Sequence, residues 1–135
     1  MNLIQRIKQH EGFSEKPYPD PITKGKPWTF GYGFTYLTKE EASVLLEMRV
    51  KEIQTKLLNN KQWAFLYKLH TEVTEIIVEM IFQLGFQGVN KFVNFKDALM
   101  NEDYDRAIIE MKDSLWYKQT PYRVEALAKI LESLK

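Results

Sequence analysis

Residues 28–58 read WTFGYGFTYLTKEEASVLLEMRVKEIQTKLL, and the change of period inside this stretch decides the fold class. Trp28 to Phe34 alternate strictly between large aromatic and small side chains, the period of a β-strand. One face of such a strand carries four aromatics. The other carries Thr29, Gly31 and Gly33, a nearly bare backbone with a single hydroxyl that another molecule can approach closely. At Thr38 the period changes. Thr38 stands three residues before Glu41 in a capping-box pattern, and Ala42, Leu45, Leu46, Ile53 and Leu57 then recur at helical spacing. The spacing predicts a helix to about Leu58, before Asn59-Asn60, long enough to join two lobes.

Upstream, Leu3, Ile4 and Ile7 recur at helical spacing, the stripe continues onto Glu11, and Gly12 offers the stop. Pro17, Pro19, Pro21, Gly25 and Pro27 then exclude a helix and favour a loop or an irregular hairpin. Downstream of Asn60 the chain reads as helical. Val73, Ile76, Ile77, Met80, Ile81 and Leu84 form a stripe ending at Gly85, with Glu75, Glu79 and Phe82 on another face. Shorter helices are predicted around Phe92 to Met100 and Tyr104 to Met111, with Gly88 and Asn101-Glu102-Asp103 as punctuation. Thr120-Pro121 opens a last helix whose apolar face is Val124, Leu127, Ala128, Leu131 and Leu134. Arg123, in its first turn, opposes the helix dipole by up to about 1 kcal/mol, so a carboxylate is expected nearby. The pattern is α+β, mostly helical, with one small hairpin.

Composition narrows the function classes. The 135 residues, 44% hydrophobic and 13% aromatic, suffice for one globular unit that folds alone, as a monomer. With no cysteine, disulfides, thiolate chemistry and cysteine-based metal sites are excluded, and His10 and His70 are too few for a histidine-rich metal site. Lys+Arg 19 against Asp+Glu 18 gives a net charge of +1, against a nucleic-acid module that works by neutralising phosphate. Charges break every apolar run from Met1 to Lys8, so this start reads as neither signal peptide nor membrane anchor, and the chain is expected in the cytoplasm on synthesis.

Cleaving a glycosidic bond by acid–base catalysis needs one carboxyl that holds its proton near neutral pH and a second that is ionised. Glu11, on the continuation of an apolar stripe, is expected to be partly buried, and burial disfavours the charged form. Asp20, in the proline-rich loop, is expected to stay ionised and reach water. Thr29 supplies a neutral hydroxyl suited to holding the attacking water. Each residue alone has a plainer reading: Glu11 as a helix-end ion-pair partner, Asp20 as a turn residue, Thr29 as a β-former. Phe82 and the tandem Trp116-Tyr117 alone read as core, and Arg123 as a solvated helix residue.

Taken together, His10-Glu11-Gly12, Tyr18-Pro19-Asp20 and Thr29-Phe30-Gly31-Tyr32-Gly33 resemble the Glu, Asp, Thr signature of the phage-type lysozymes, glycoside hydrolase family 24. Met80-Ile81-Phe82-Gln83-Leu84-Gly85 and Trp116-Tyr117-Lys118-Gln119-Thr120-Pro121 with Arg123 resemble the C-terminal lobe of its T-even members. The resemblance implies a single lysozyme-like domain: a small lobe over about 13–38, a connecting helix over about 39–58, and a helical lobe over about 60–135 that takes in residues 1–11. It implies inverting hydrolysis of peptidoglycan between N-acetylmuramic acid and N-acetylglucosamine, with Glu11 as acid, Asp20 as base and Thr29 holding water. It also implies that Phe82, Gly31 and Gly33 line the sugar site and that Arg123 pairs with the acid. No cofactor or metal is implied, no nucleic acid and no stable membrane insertion; reaching the wall would need a holin or a place on the virion. A lytic transglycosylase, or a wall-binding module without catalysis, are the alternatives.

The sequence also departs from the T-even pattern. Asp20 and Thr29 stand nine positions apart (29 − 20), more than in those members. Phe34 replaces a histidine, and the segment from Leu37 to the capping box is much shorter. Thr35, Phe95 and Glu110 stand at sugar-contact positions without preserving the side chains.

Overall fold

The computed structural model describes residues 1–18 and 28–135. It divides the chain into two compact units, Met1–Leu46 and Glu47–Lys135.

The first unit opens with helix α1, Leu3–Glu11. Asn2 caps it: its side chain accepts from the Gln5 N–H at 2.8 Å while the Gln5 side chain accepts from the Asn2 N–H at 2.9 Å. Gly12, at φ 70° and ψ 173°, ends the helix and donates its N–H to the Lys8 carbonyl at 2.9 Å. That backbone region is open to glycine and almost closed to other residues. Strand β1, Ser14–Tyr18, then pairs antiparallel with β2, Thr29–Gly31, matching Ser14 to Gly31 and Tyr18 to Thr29. Four steps along β1 are met by two along β2, so the ladder carries an irregularity between the matched pairs. Pro17 is tolerated in β1 because a two-stranded ribbon has only edges.

The strand expected over Trp28 to Phe34 is cut short. Gly31 takes φ 59° and Gly33 φ 78°, and the Phe30 and Phe34 backbones exchange two hydrogen bonds of 2.9 Å across the turn they form. Glycine's access to the left-handed region outweighs the alternating period, so the aromatic and bare faces of a seven-residue strand do not form.

Helix α2, Lys39–Leu58, begins in the first unit and ends in the second. Its capping box is made as read: Glu41 N–H to Thr38 Oγ1 at 3.1 Å and Thr38 N–H to Glu41 Oε1 at 3.0 Å. In the second unit a 3-10 stretch, Lys61–Lys68, is capped by Asn60, and α3, Thr71–Asn90, follows. Next come α4 (Val93–Met100), α5 (Tyr104–Lys112), α6 (Leu115–Gln119) and α7 (Pro121–Ser133). The core lies here. Val73, Ile76, Ile77, Met80 and Ile81 of α3 pack with Trp63, Phe95, Leu99, Met111, Trp116, Val124, Leu127 and Leu131. Each such side chain contributes about 1.5–3 kcal/mol on burial.

Gly85 breaks the helical dihedrals of α3 at φ 75° and ψ 164°, as its place at the end of the stripe suggested. The chain resumes a helix to Asn90, however, so Gly88 lies inside a helix and punctuates nothing. Thr120 precedes α7 as read but makes no side-chain cap: its hydroxyl donates to the Trp116 carbonyl at 3.1 Å instead.

Candidate active site

Glu11 is the last residue of α1 and is exposed. The partial burial expected of it is absent because α1 buries none of its side chains, so the apolar stripe that Glu11 continues brings it no cover. Its carboxyl instead lies against the glycine turn. A side-chain carbon at Gly33 would stand 2.5 Å from Glu11 Oε2, closer than any real contact allows. At Gly31 such a carbon would meet the Phe34 ring at 2.7 Å. Both glycines are therefore needed twice over, for a positive φ and for space. Thr29, half-buried, is the first residue of β2, two residues before that turn. The hairpin thus sets Gly33 against Glu11, with Gly31 two residues earlier at the end of the strand that Thr29 begins. Asp20 lies outside the described residues.

Phe82 sits in the second unit on α3, 43% exposed and off the buried stripe, as the spacing indicated. It borders an open groove of about 390 Å³ whose other walls include Arg49, Glu52, Lys56, Gly85 and Phe86. Three residues earlier, Glu79 accepts from Arg123 Nε at 2.8 Å. Glu79 is thus the carboxylate paired with the cation in the first turn of α7, where the resemblance implied the acid, Glu11.

Gln83 is the residue the sequence reading passed over. Its amide accepts from Trp116 Nε1 at 2.9 Å and donates to Thr120 Oγ1 at 3.3 Å, tying α3, beside Phe82, to the segment entering α7. The signal was present, since Gln83 and Trp116 both fall in the blocks that carry the resemblance. Phe95 is buried in the core, which explains why that position has no polar side chain to offer a sugar. Thr35 is exposed and Glu110 half-buried. Among the described residues no group of three or more His, Asp or Glu is placed to hold a metal, and no helix is long and apolar enough to cross a membrane.

A small hairpin entered from a short helix that ends in an exposed glutamate, ahead of a long helix and a helical core, defines the α+β lysozyme-like class. The profile of the family described as phage lysozyme matches residues 8–129, and the chain belongs to that family. It is 29% identical over 96 residues to the pre-baseplate central spike protein Gp5 of Enterobacteria phage T4, an alignment covering 70% of this chain and 17% of that protein. It is 26% and 24% identical over 98 residues to probable T4-type lysozymes 1 and 2 of Dictyostelium discoideum, covering 72% of this chain and 58% of each. The chain therefore spans less than two thirds of the length of these relatives.

Proposed function

We propose that this chain is a peptidoglycan-degrading lysozyme, a glycoside hydrolase that cleaves between N-acetylmuramic acid and N-acetylglucosamine with inversion. Glu11 is the general acid that protonates the leaving oxygen. Asp20 is the base that activates water on the opposite face of the sugar, and Thr29 holds that water. In an inverting pair the two carboxyls stand roughly 6.5–9.5 Å apart, leaving room for the water between them. Phe82 is the aromatic platform for the glycan, and the Gly31–Gly33 turn leaves its backbone open to substrate. Arg123, fixed at the first turn of α7 by Glu79, is the cation that supports the acid.

The observation that carries this reading is the Glu11 carboxyl seated against Gly33, on the hairpin whose second strand begins with Thr29. An exposed carboxyl set against a glycine of the turn, where no side chain intervenes, has room beside it for a sugar oxygen. Membership of the phage lysozyme family and similarity to proteins named T4-type lysozymes support the same chemistry. The wall is reached after holin-dependent release or from the virion, and similarity to a phage central spike protein supports the second route.

Digestion of purified peptidoglycan tests the proposal. Hydrolysis releases reducing ends and, with inversion, a product of reversed anomeric configuration at the first turnover. Anhydro-sugar ends would instead mark a transglycosylase, and binding without fragments a wall-binding module.

A further inference from the structure

Tyr32 occupies the tip of the glycine turn, between Gly31 and Gly33, and is held from two sides. The Phe13 ring stands 5.3 Å from it, centroid to centroid, tilted by 48°. Lys8 Nζ lies over its face at 5.2 Å from the centroid. Phe13 is two residues beyond Glu11, and the Lys8 carbonyl takes the last hydrogen bond of α1, from Gly12. Both clamps on the ring thus come from the segment that carries Glu11.

The turn needs such a clamp. It has two positive-φ glycines and no side chains at Gly31 or Gly33 to pack, and it is closed at its base by the paired bonds and the edge-on rings of Phe30 and Phe34. Tyr32 supplies the turn's only side chain, and an aromatic ring between a second ring and a cation is favoured by the electrostatics of its face and edge. We infer that Tyr32, clasped by Phe13 and Lys8, is a positioning residue that seats the Gly33 backbone against the Glu11 carboxylate. The inference rests on Glu11 being the acid and adds what fixes its place. The ring touches no reacting atom; together with the Ser14–Gly31 pairing it fixes the distance between a helix end and the turn.

The test compares Tyr32→Ala, Tyr32→Phe and Phe13→Ala with the unaltered chain on soluble glycan fragments, with circular dichroism as a check on folding. A displacement of the acid by about 1 Å lowers turnover on the order of tenfold to a hundredfold, so both alanine variants should lose kcat on that scale with KM unchanged. Tyr32→Phe, which keeps the ring, should restore kcat. Phe13 is 63% exposed, so its truncation decides the matter even if Tyr32→Ala does not fold. Folded alanine variants with full kcat overturn the inference. So does a loss confined to KM, which would make the ring a sugar platform, or a phenylalanine variant as defective as alanine. Glu11→Gln runs beside them: activity there removes the reading of Glu11 as the acid, whereas an inactive Glu11→Gln with fully active alanine variants removes only the role of Tyr32.

Discussion

Arg123 in the first turn of α7 is held by Glu79 of α3, Nε to Oε2 at 2.8 Å, one helical turn before Phe82. Both side chains are more than a third exposed, 38% and 44%. A pair this open contributes about 1 kcal/mol or less to stability. Arg123→Met should therefore shift the urea midpoint slightly and lower peptidoglycan cleavage far more. Equal small losses in both would make the arginine a surface residue.

Gly33 and Gly12 both take a positive φ, and alanine at such a position costs roughly 1–3 kcal/mol. They differ in surroundings: a side-chain carbon at Gly12 meets nothing within 4 Å, while at Gly33 it meets the Glu11 carboxyl. Gly33→Ala should be destabilised at least as much as Gly12→Ala in thermal unfolding, with activity per folded molecule lost only in Gly33→Ala. The same activity in both would mean that the contact between Gly33 and Glu11 does not matter.

Trp116→Phe removes the donor that satisfies Gln83 Oε1. A polar group so left costs about 1–3 kcal/mol when buried, and Gln83, being only partly buried, should lie toward the lower end. Urea denaturation should show that loss, and Gln83→Leu in the Trp116→Phe background should add less than it does alone. Strict additivity would show that the two side chains are not coupled.

Glu41 makes the N-terminus of α2 sensitive to acid. The Thr38 backbone N–H, and then its hydroxyl, hold the Glu41 carboxyl below its ordinary value of 4.5. A carboxyl lowered in the folded state contributes stability that is present above the unfolded value and is lost as pH falls through the folded one. The melting temperature of Glu41→Gln should accordingly fall less than that of the unaltered chain between about pH 5 and about pH 3. Parallel curves would show that the capping box contributes nothing through charge.

Helix ends and apolar stripes were legible in the sequence because their causes are local. The Thr38-Glu41 box, the buried face of α3 and Pro121 at the start of α7 all stand where their spacing put them. The strand over Trp28 to Phe34 was misread because strand period and turn chemistry compete for the same residues, and two glycines settle the contest for a turn. The burial of Glu11 was misread because a stripe on one helix does not say what covers it. Gln83 went unnoticed because its partners, Trp116 and Thr120, are 33 and 37 residues away. Of the candidate site, the closeness of Glu11 to the glycine turn was foreshadowed only by resemblance, since no spacing rule connects a helix end to a turn some twenty residues on.

The central claim is that Glu11 donates the proton. Release of reducing ends from purified peptidoglycan by Glu11→Gln, measured beside the unaltered chain with matching circular dichroism, tests it most directly. Glutamine keeps the shape and the fit against Gly33 but has no acidic proton to give, so the account predicts a folded protein with no detectable release. Release at the unaltered rate would contradict it.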